Sequence, residues 1–176
     1  MFGATLRMLE RDGVVAMSVR EIAAEAGTAE TTIYRRWGSL EGLIAAALGD
    51  YAVTENPIPD TGSLEADLSQ LLRNVVSILE RPEMRRIFRF SMSLDDGDEE
   101  LTSARAQFWQ VRFDAGTAVV QRAIERGEIA PLTDPQSVIE TLVGVVYLRT
   151  FLLERPLTDE VFEQSVRAAL LCTNPG

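Results

Sequence analysis

An all-α chain of about nine helices is what this sequence predicts, and three observations carry that expectation. Apolar residues recur at the three- and four-residue spacing of amphipathic helices almost throughout, and no run alternates convincingly with a period of two. Punctuation falls where helices should stop and start: Gly13, Gly27, Gly38 and Gly127 follow periodic stretches, and Pro82 and Pro135 open them. Hydrophobic residues make up 46% of the 176, ample for a core.

The first helix spans residues 3–12, carries Leu6 and Leu9, and stops at Gly13. Ser18-Val19-Arg20-Glu21 is a capping box that opens the second, with Glu21 reaching back to the cap's backbone N–H. Ile22, Ala23 and Ala26 face inward there, and Gly27 is a left-handed C-cap. A short helix covers residues 29–36, and Gly38-Ser39 ends it and caps the next, 39–54. Asn56-Pro57-Ile58-Pro59-Asp60-Thr61-Gly62 is the strongest loop signal and divides an N-terminal module, 1–54, from residues 55–176. Ser63 caps a helix to about Arg81, with Glu65 and Asp67 favourable in its first turn. Pro82 begins a sixth helix to about Leu94, and the acidic run at 95–100 introduces a long seventh ending at Arg126-Gly127. Asp134-Pro135 begins an eighth, to Glu154, and Thr158-Asp159-Glu160 a ninth, ending near Cys172.

Composition excludes much chemistry. All 17 basic side chains are arginine, against 27 acids, and there is no lysine, no histidine and a single cysteine, Cys172. Phosphate-loop lysines, Schiff bases, Ser-His-Asp or Cys-His catalysis and histidine-ligated zinc are therefore ruled out. An enzyme would have to rely on carboxylates such as Glu140 or Asp114 in a cleft. The acidic run lacks the spacing of a calcium loop and reads as a solvated helix start, so neither metal nor cofactor is expected. The longest apolar stretch, Leu142 to Leu148, is too short to span a bilayer, and Met1 to Leu6 has no signal-peptide pattern. A soluble cytoplasmic protein is the expectation, with Cys172 a small apolar residue of the ninth helix.

Residues 18–37 have the spacing of a helix-turn-helix: two short helices, a glycine turn, and alanines where the backbones cross. Leu6, Leu9, Ile22, Ile33, Leu40 and Leu43 would fill a small core beneath it. By geometry alone the segment is either a DNA-reading unit, whose second helix enters the major groove, or a plain helical hairpin. A reading surface would comprise Ser18, Thr28, Glu30, Thr31, Thr32, Tyr34, Arg35, Arg36 and Ser39, with Arg35 and Arg36 as the leading phosphate or base contacts.

The residues themselves discriminate. Ser18-Val19-Arg20-Glu21-Ile22-Ala23-Ala24-Glu25-Ala26-Gly27 and Thr32-Ile33-Tyr34-Arg35-Arg36-Trp37-Gly38-Ser39 resemble the DNA-binding module of the TetR family of transcriptional repressors, across about residues 4–48. The remainder looks like the ligand-binding domain of some TetR-type regulators, through Pro59 to Leu64, Arg122 to Glu128 and Val143 to Arg149. The resemblance implies an all-helical bacterial homodimer that binds a palindromic double-stranded operator; such proteins usually begin with a basic extension ahead of the first helix. Ligand binding in the C-terminal domain would move the two heads apart. Leu40 stands where such proteins usually carry a lysine, Glu30 where a basic or small polar residue is common. Residues 1–53 hold five arginines against seven acids. That balance motivates the alternative: a dimeric ligand-binding or interaction protein with a degenerate head.

Apolar residues wrap beyond one stripe of the eighth helix, which suggests burial against a second copy in a four-helix seam. Val138, Leu142, Val145, Val146, Arg149 and Leu152 would contribute from it, and Phe162, Val166, Ala169 and Leu170 from the ninth. Met84, Phe88, Met92, Phe108, Trp109, Arg112, Phe113 and Tyr147 are the candidates for a pocket accepting a small, mostly apolar ligand.

Overall fold

The computed structural model describes residues 1–13, 16–55, 57–93 and 99–173. Every regular element among them is helical: α1 (Phe2–Asp12), α2 (Val19–Glu25), α3 (Glu30–Trp37), α4 (Leu40–Glu55), α5 (Leu64–Glu80), α6 (Pro82–Ser93), α7 (Glu99–Glu125), α8 (Pro135–Tyr147) and α9 (Asp159–Leu171). The chain divides into two compact units. One holds Met1–Thr54 and Arg81–Val111, the other Glu55–Glu80 and Arg112–Gly176. Most of the acidic run, residues 95–98, lies outside the described residues.

In the first unit, α1, α2, α3 and α4 close over Met8, Leu9, Ile22, Ile33 and Leu43. The buried positions of α1 are Ala4, Thr5, Met8 and Leu9, so Leu6, expected in the core, falls on the flank and is half-buried. Leu40 is also half-buried, because it opens α4 rather than lying within it. Half of the expected capping box forms, Ser18 Oγ accepting the Glu21 N–H at 3.3 Å, while the Glu21 side chain turns to the Ser18 hydroxyl, at 2.8 Å, instead of the cap's backbone N–H. The helix ends in a Schellman motif, with Thr28 N–H donating to Ala23 C=O at 2.9 Å and Gly27 N–H to Ala24 C=O at 3.3 Å. Gly27 has φ 65°, where a side chain would be strained. Gly42 matters for a different reason. A Cβ there would lie 2.2 Å from the Trp37 carbonyl oxygen, so only glycine lets α4 start this close to the end of α3.

In the second unit, α5, α8 and α9 pack on one another and on the last turns of α7. Leu68 and Leu72 of α5, Val119 and Val120 of α7, and Val138, Leu142 and Val146 of α8 are essentially sealed. Gly116 of α7 is pressed against Ile139, whose Cγ2 would lie 3.1 Å from an added Cβ. Asp134 caps α8 by accepting from the N–H groups of Gln136 and Ser137, and the Ser137 hydroxyl holds its carboxyl below the usual range. The eighth helix does not run on to Glu154 in α form. It ends in a π-helical turn, Leu148–Leu152, closed by Leu153 N–H on Leu148 C=O at 3.0 Å.

Candidate nucleic-acid interface

The apolar side of α3 fixes which side is left for a ligand. Ile33 is fully buried and Trp37 half-buried, its ring 5.8 Å from that of Phe2. The opposite face, with the spacing of one helical side, presents Glu30, Thr31, Tyr34 and Arg35, all exposed. Thr28 and Thr32 are half-buried at its edge. Arg36 is exposed and lies over the Trp37 ring, 5.0 Å from its centroid, which restrains the guanidinium beside this face. Ala29, the N-cap of α3, offers no side chain to its free N–H groups.

Two predicted contacts have structural work of their own. Ser18 caps α2, as above, and Ser39 Oγ accepts the Gly42 N–H at 3.0 Å, capping α4. Both are half-buried.

Charge in this unit is arranged more selectively than its count suggests. Arg7 pairs with Glu25 at 3.1 Å. Arg11 grips Asp12 through Nε and Nη2, at 2.9 and 2.7 Å, and lies 3.9 Å from Glu25. The hydrogen bond that Arg11 donates to Asp12 raises the Arg11 pKa and lowers that of Asp12. Among the described residues no carboxylate lies within ion-pair distance of Arg20 or Arg35, and both are exposed. Arg20 was not among the sequence candidates, although its place in the first turn of the motif's first helix could have flagged it.

The predicted ligand residues fall in both units. In the first, Met84 and Phe88 are buried, and the Phe88 ring lies 5.7 Å from that of Trp109. Met92 is exposed, and the Phe108 side chain lies outside the described residues. In the second, Arg112, Phe113 and Tyr147 are half-buried, and Tyr147 stacks on Phe151 at 6.0 Å, a partner missing from the sequence candidates. Burial pushes the Tyr147 hydroxyl up against the opposing pull of Arg112, and burial also lowers the Arg112 guanidinium.

The seam candidates separate as sharply. Val138, Leu142, Val146, Val166 and Ala169 are buried inside the second unit itself, because α5 and α9 pack on that side of α8. Arg149 donates through Nε and Nη2 to the Pro156 carbonyl and holds the turn after the π segment. Phe162 is half-buried beneath the Arg73 guanidinium, and Leu170 is half-buried beside it in a groove between α5 and α9. Val145 and Leu152 do face solvent, joined by Leu148, Leu153 and Leu171, which the sequence reading omitted. Cys172 Sγ approaches Thr141 Oγ1 at 3.6 Å, which brings the end of α9 against α8.

Comparison with known proteins gives these features a context. Residues 2–47 match the family model described as bacterial regulatory proteins of the tetR family, and residues 58–169 match that of the tetracyclin repressor-like C-terminal domain. The HTH-type transcriptional regulator AqdR of Rhodococcus erythropolis is 29% identical over 167 residues, covering 95% of this chain and 80% of that protein. The DNA-binding transcriptional repressor TetR of Mycobacteroides abscessus is 29% identical over 178 residues, covering 97% and 90%. The crystal structure of the TetR family transcription regulator SCO0332 superposes with a TM-score of 0.87 at 26% identity, over 99% of this chain and 96% of that one.

Proposed function

The chain belongs to the TetR family of bacterial regulatory proteins, and from that premise we propose a dimeric one-component repressor that a small, mostly apolar ligand releases from a palindromic operator. Its class is settled: a transcriptional regulator with a DNA-binding head and a ligand-binding C-terminal domain, not an enzyme. No helix among the described residues is long and apolar enough to cross a membrane.

One observation supports the operator reading above the others. The exposed face of α3 carries Thr31, Tyr34 and an Arg35 with no carboxylate in ion-pair distance among the described residues, while the arginines of α1 are held by Glu25 and Asp12. Arg35 would then supply the base or phosphate contact, with Arg36, Thr31 and Tyr34 beside it and Arg20 on the neighbouring backbone. Pairing of two chains through Val145, Leu148, Leu152 and Leu171 would supply the duplicated heads that a palindrome requires. The ligand would act by population shift, moving the equilibrium only as far as its affinities for the two head spacings differ.

Glu30 favours a second reading, because it places a carboxylate on the same face as Arg35. A head that has lost DNA affinity would leave a ligand-binding dimer. Titration of the full chain against DNA from upstream of its own coding region, at low and moderate salt, separates the two. Sequence-selective binding with a falling salt slope supports the repressor. Equal, weak binding to any duplex sinks it.

A further inference from the structure

The linker that leaves α4 and enters α5 is held to the second unit by charged side chains to which neither the fold nor the proposed function gives a role. Arg122, near the end of α7, donates to the Pro59 carbonyl, and its Nε lies 3.8 Å from Asp60 Oδ1. Arg126, one turn later, lies 3.8 Å from the same Asp60 oxygen and 3.8 Å from Asp67 Oδ2. It also donates to Glu128 at 2.8 Å, and Glu128 Oε1 accepts the Leu64 N–H at 2.7 Å, answering the first turn of α5. Asp67 is completely buried, and its Oδ1 accepts the Thr61 N–H at 2.7 Å. The two strings that resembled a ligand-binding domain, Pro59 to Leu64 and Arg122 to Glu128, thus meet in space.

The contacts left incomplete here are informative. Asp67 Oδ2 and Arg122 Nε are buried without a hydrogen bond, and each lies 3.8 Å from a group of opposite charge. A charge-assisted hydrogen bond needs about 2.8 Å, so each contact stands roughly 1 Å short of one, Arg122 against the linker and Arg126 against α5. The Asp60 pairs contribute little to stability, since Asp60 is exposed and solvent screens them. As a two-position contact the arrangement is well suited, because small shifts decide which bonds exist. The same α7 carries Arg112 and Phe113, and a helix moves as a rigid rod over such a length.

We propose that Asp60, Asp67, Arg122 and Arg126 form an ionic latch that relays movement of α7 to the linker of the DNA-reading head. These are positioning residues, and the proposal rests on the operator reading above. The test uses the full chain carrying Asp67→Asn or Arg126→Gln, with Arg126→Lys as the charge-keeping variant and Leu72→Ala as a destabilised control. Spin labels at Ala24→Cys and Glu163→Cys, in a Cys172→Ser background diluted with unlabelled chain, report the head-to-body distance without DNA. The latch variants are expected to broaden or shift that distribution and to change operator affinity roughly ten-fold, an ordinary size for coupling between sites. Arg126→Lys should restore part of both, while Leu72→Ala lowers Tm and leaves the distances alone. Wild-type distance distributions in Asp67→Asn and Arg126→Gln would overturn the latch. Failure of the wild-type chain to select any operator would instead overturn the DNA reading, leaving the distance result to stand or fall by itself.

Discussion

The two units use the same cation in opposite ways. With no lysine in the chain, arginine supplies every positive side chain. In the head, Arg20 and Arg35 stand exposed with no carboxylate in reach among the described residues. In the body, Arg122 and Arg126 hold the linker and the start of α5, and Arg112 is half-buried. Arginine's fixed fork suits both tasks, but solvent decides which one it performs. An exposed guanidinium contributes little to folding and is available to phosphate, whereas a partly buried one contributes to the fold and is withdrawn from any partner. Net charge therefore does not say which arginines are available: pairing leaves the balance of the head unchanged but singles out Arg20 and Arg35, and Arg122 and Arg126 are engaged with the linker and α5.

This contrast can be broken at several points. The largest effect is expected at the anion of the buried network. Asp67→Ala removes a carboxylate that accepts the Thr61 N–H and faces Arg126, and should lower stability by about 2–3 kcal/mol, the usual cost of a buried hydrogen bond to a charged group. Urea denaturation measures it, and a midpoint unchanged from wild type would show the network to be ornamental. In the head the sign of the experiment reverses. Arg35→Ala should weaken operator binding by about 1–3 kcal/mol while leaving the melting temperature in place. Arg7→Ala, whose guanidinium is already bound to Glu25, should change operator affinity little. Equal losses from the two variants in fluorescence anisotropy would end the distinction between free and paired arginines.

A third test concerns apolar rather than charged surface. Leu152 is 72% exposed and Leu171 71% in the single chain, so Leu152→Glu should shift the population to monomer in sedimentation velocity, with helicity retained. Val138→Glu should instead unfold the unit, because Val138 lies wholly inside it. The cap of α2 comes next: Ser18→Ala should cost the head about 1 kcal/mol through the lost Glu21 N–H acceptor. The smallest expected effect is on pH. The Arg126 hydrogen bond, then the Leu64 N–H, hold the Glu128 carboxyl below its usual range. Its contribution is thus present above the ordinary carboxylate pKa and is lost as pH falls through the lowered value. Because Glu128 is exposed, the loss is small, and it appears as the difference in acid-unfolding curves between wild type and Glu128→Gln.

Much of this was legible in the sequence, for local reasons. Caps and stops act within a few residues, so Ser18, Gly27, Asp134 and Thr158 mark their helix ends in the string itself. The reading helix was equally plain, since Ile33 and Trp37 on one side define Thr31, Tyr34 and Arg35 on the other. The exposed apolar face of α8 was legible only in part. Both sides of α8 are apolar, so periodicity cannot tell the side covered by α5 and α9 from the side left open. The exposure of Leu148 was not readable for that reason. Asp67 read as a favourable first-turn acid, which is a local fact; its complete burial depends on Arg126, fifty-nine positions away.

The sequence by itself determined that this chain is helical and where most of its helices begin and end, because capping, periodicity and turn chemistry are short-range. Only the tertiary structure decided which arginines remain free, which apolar faces remain bare, and that the linker is tied to the end of α7. Those outcomes depend on burial, and burial is set by residues that the chain brings together from far apart.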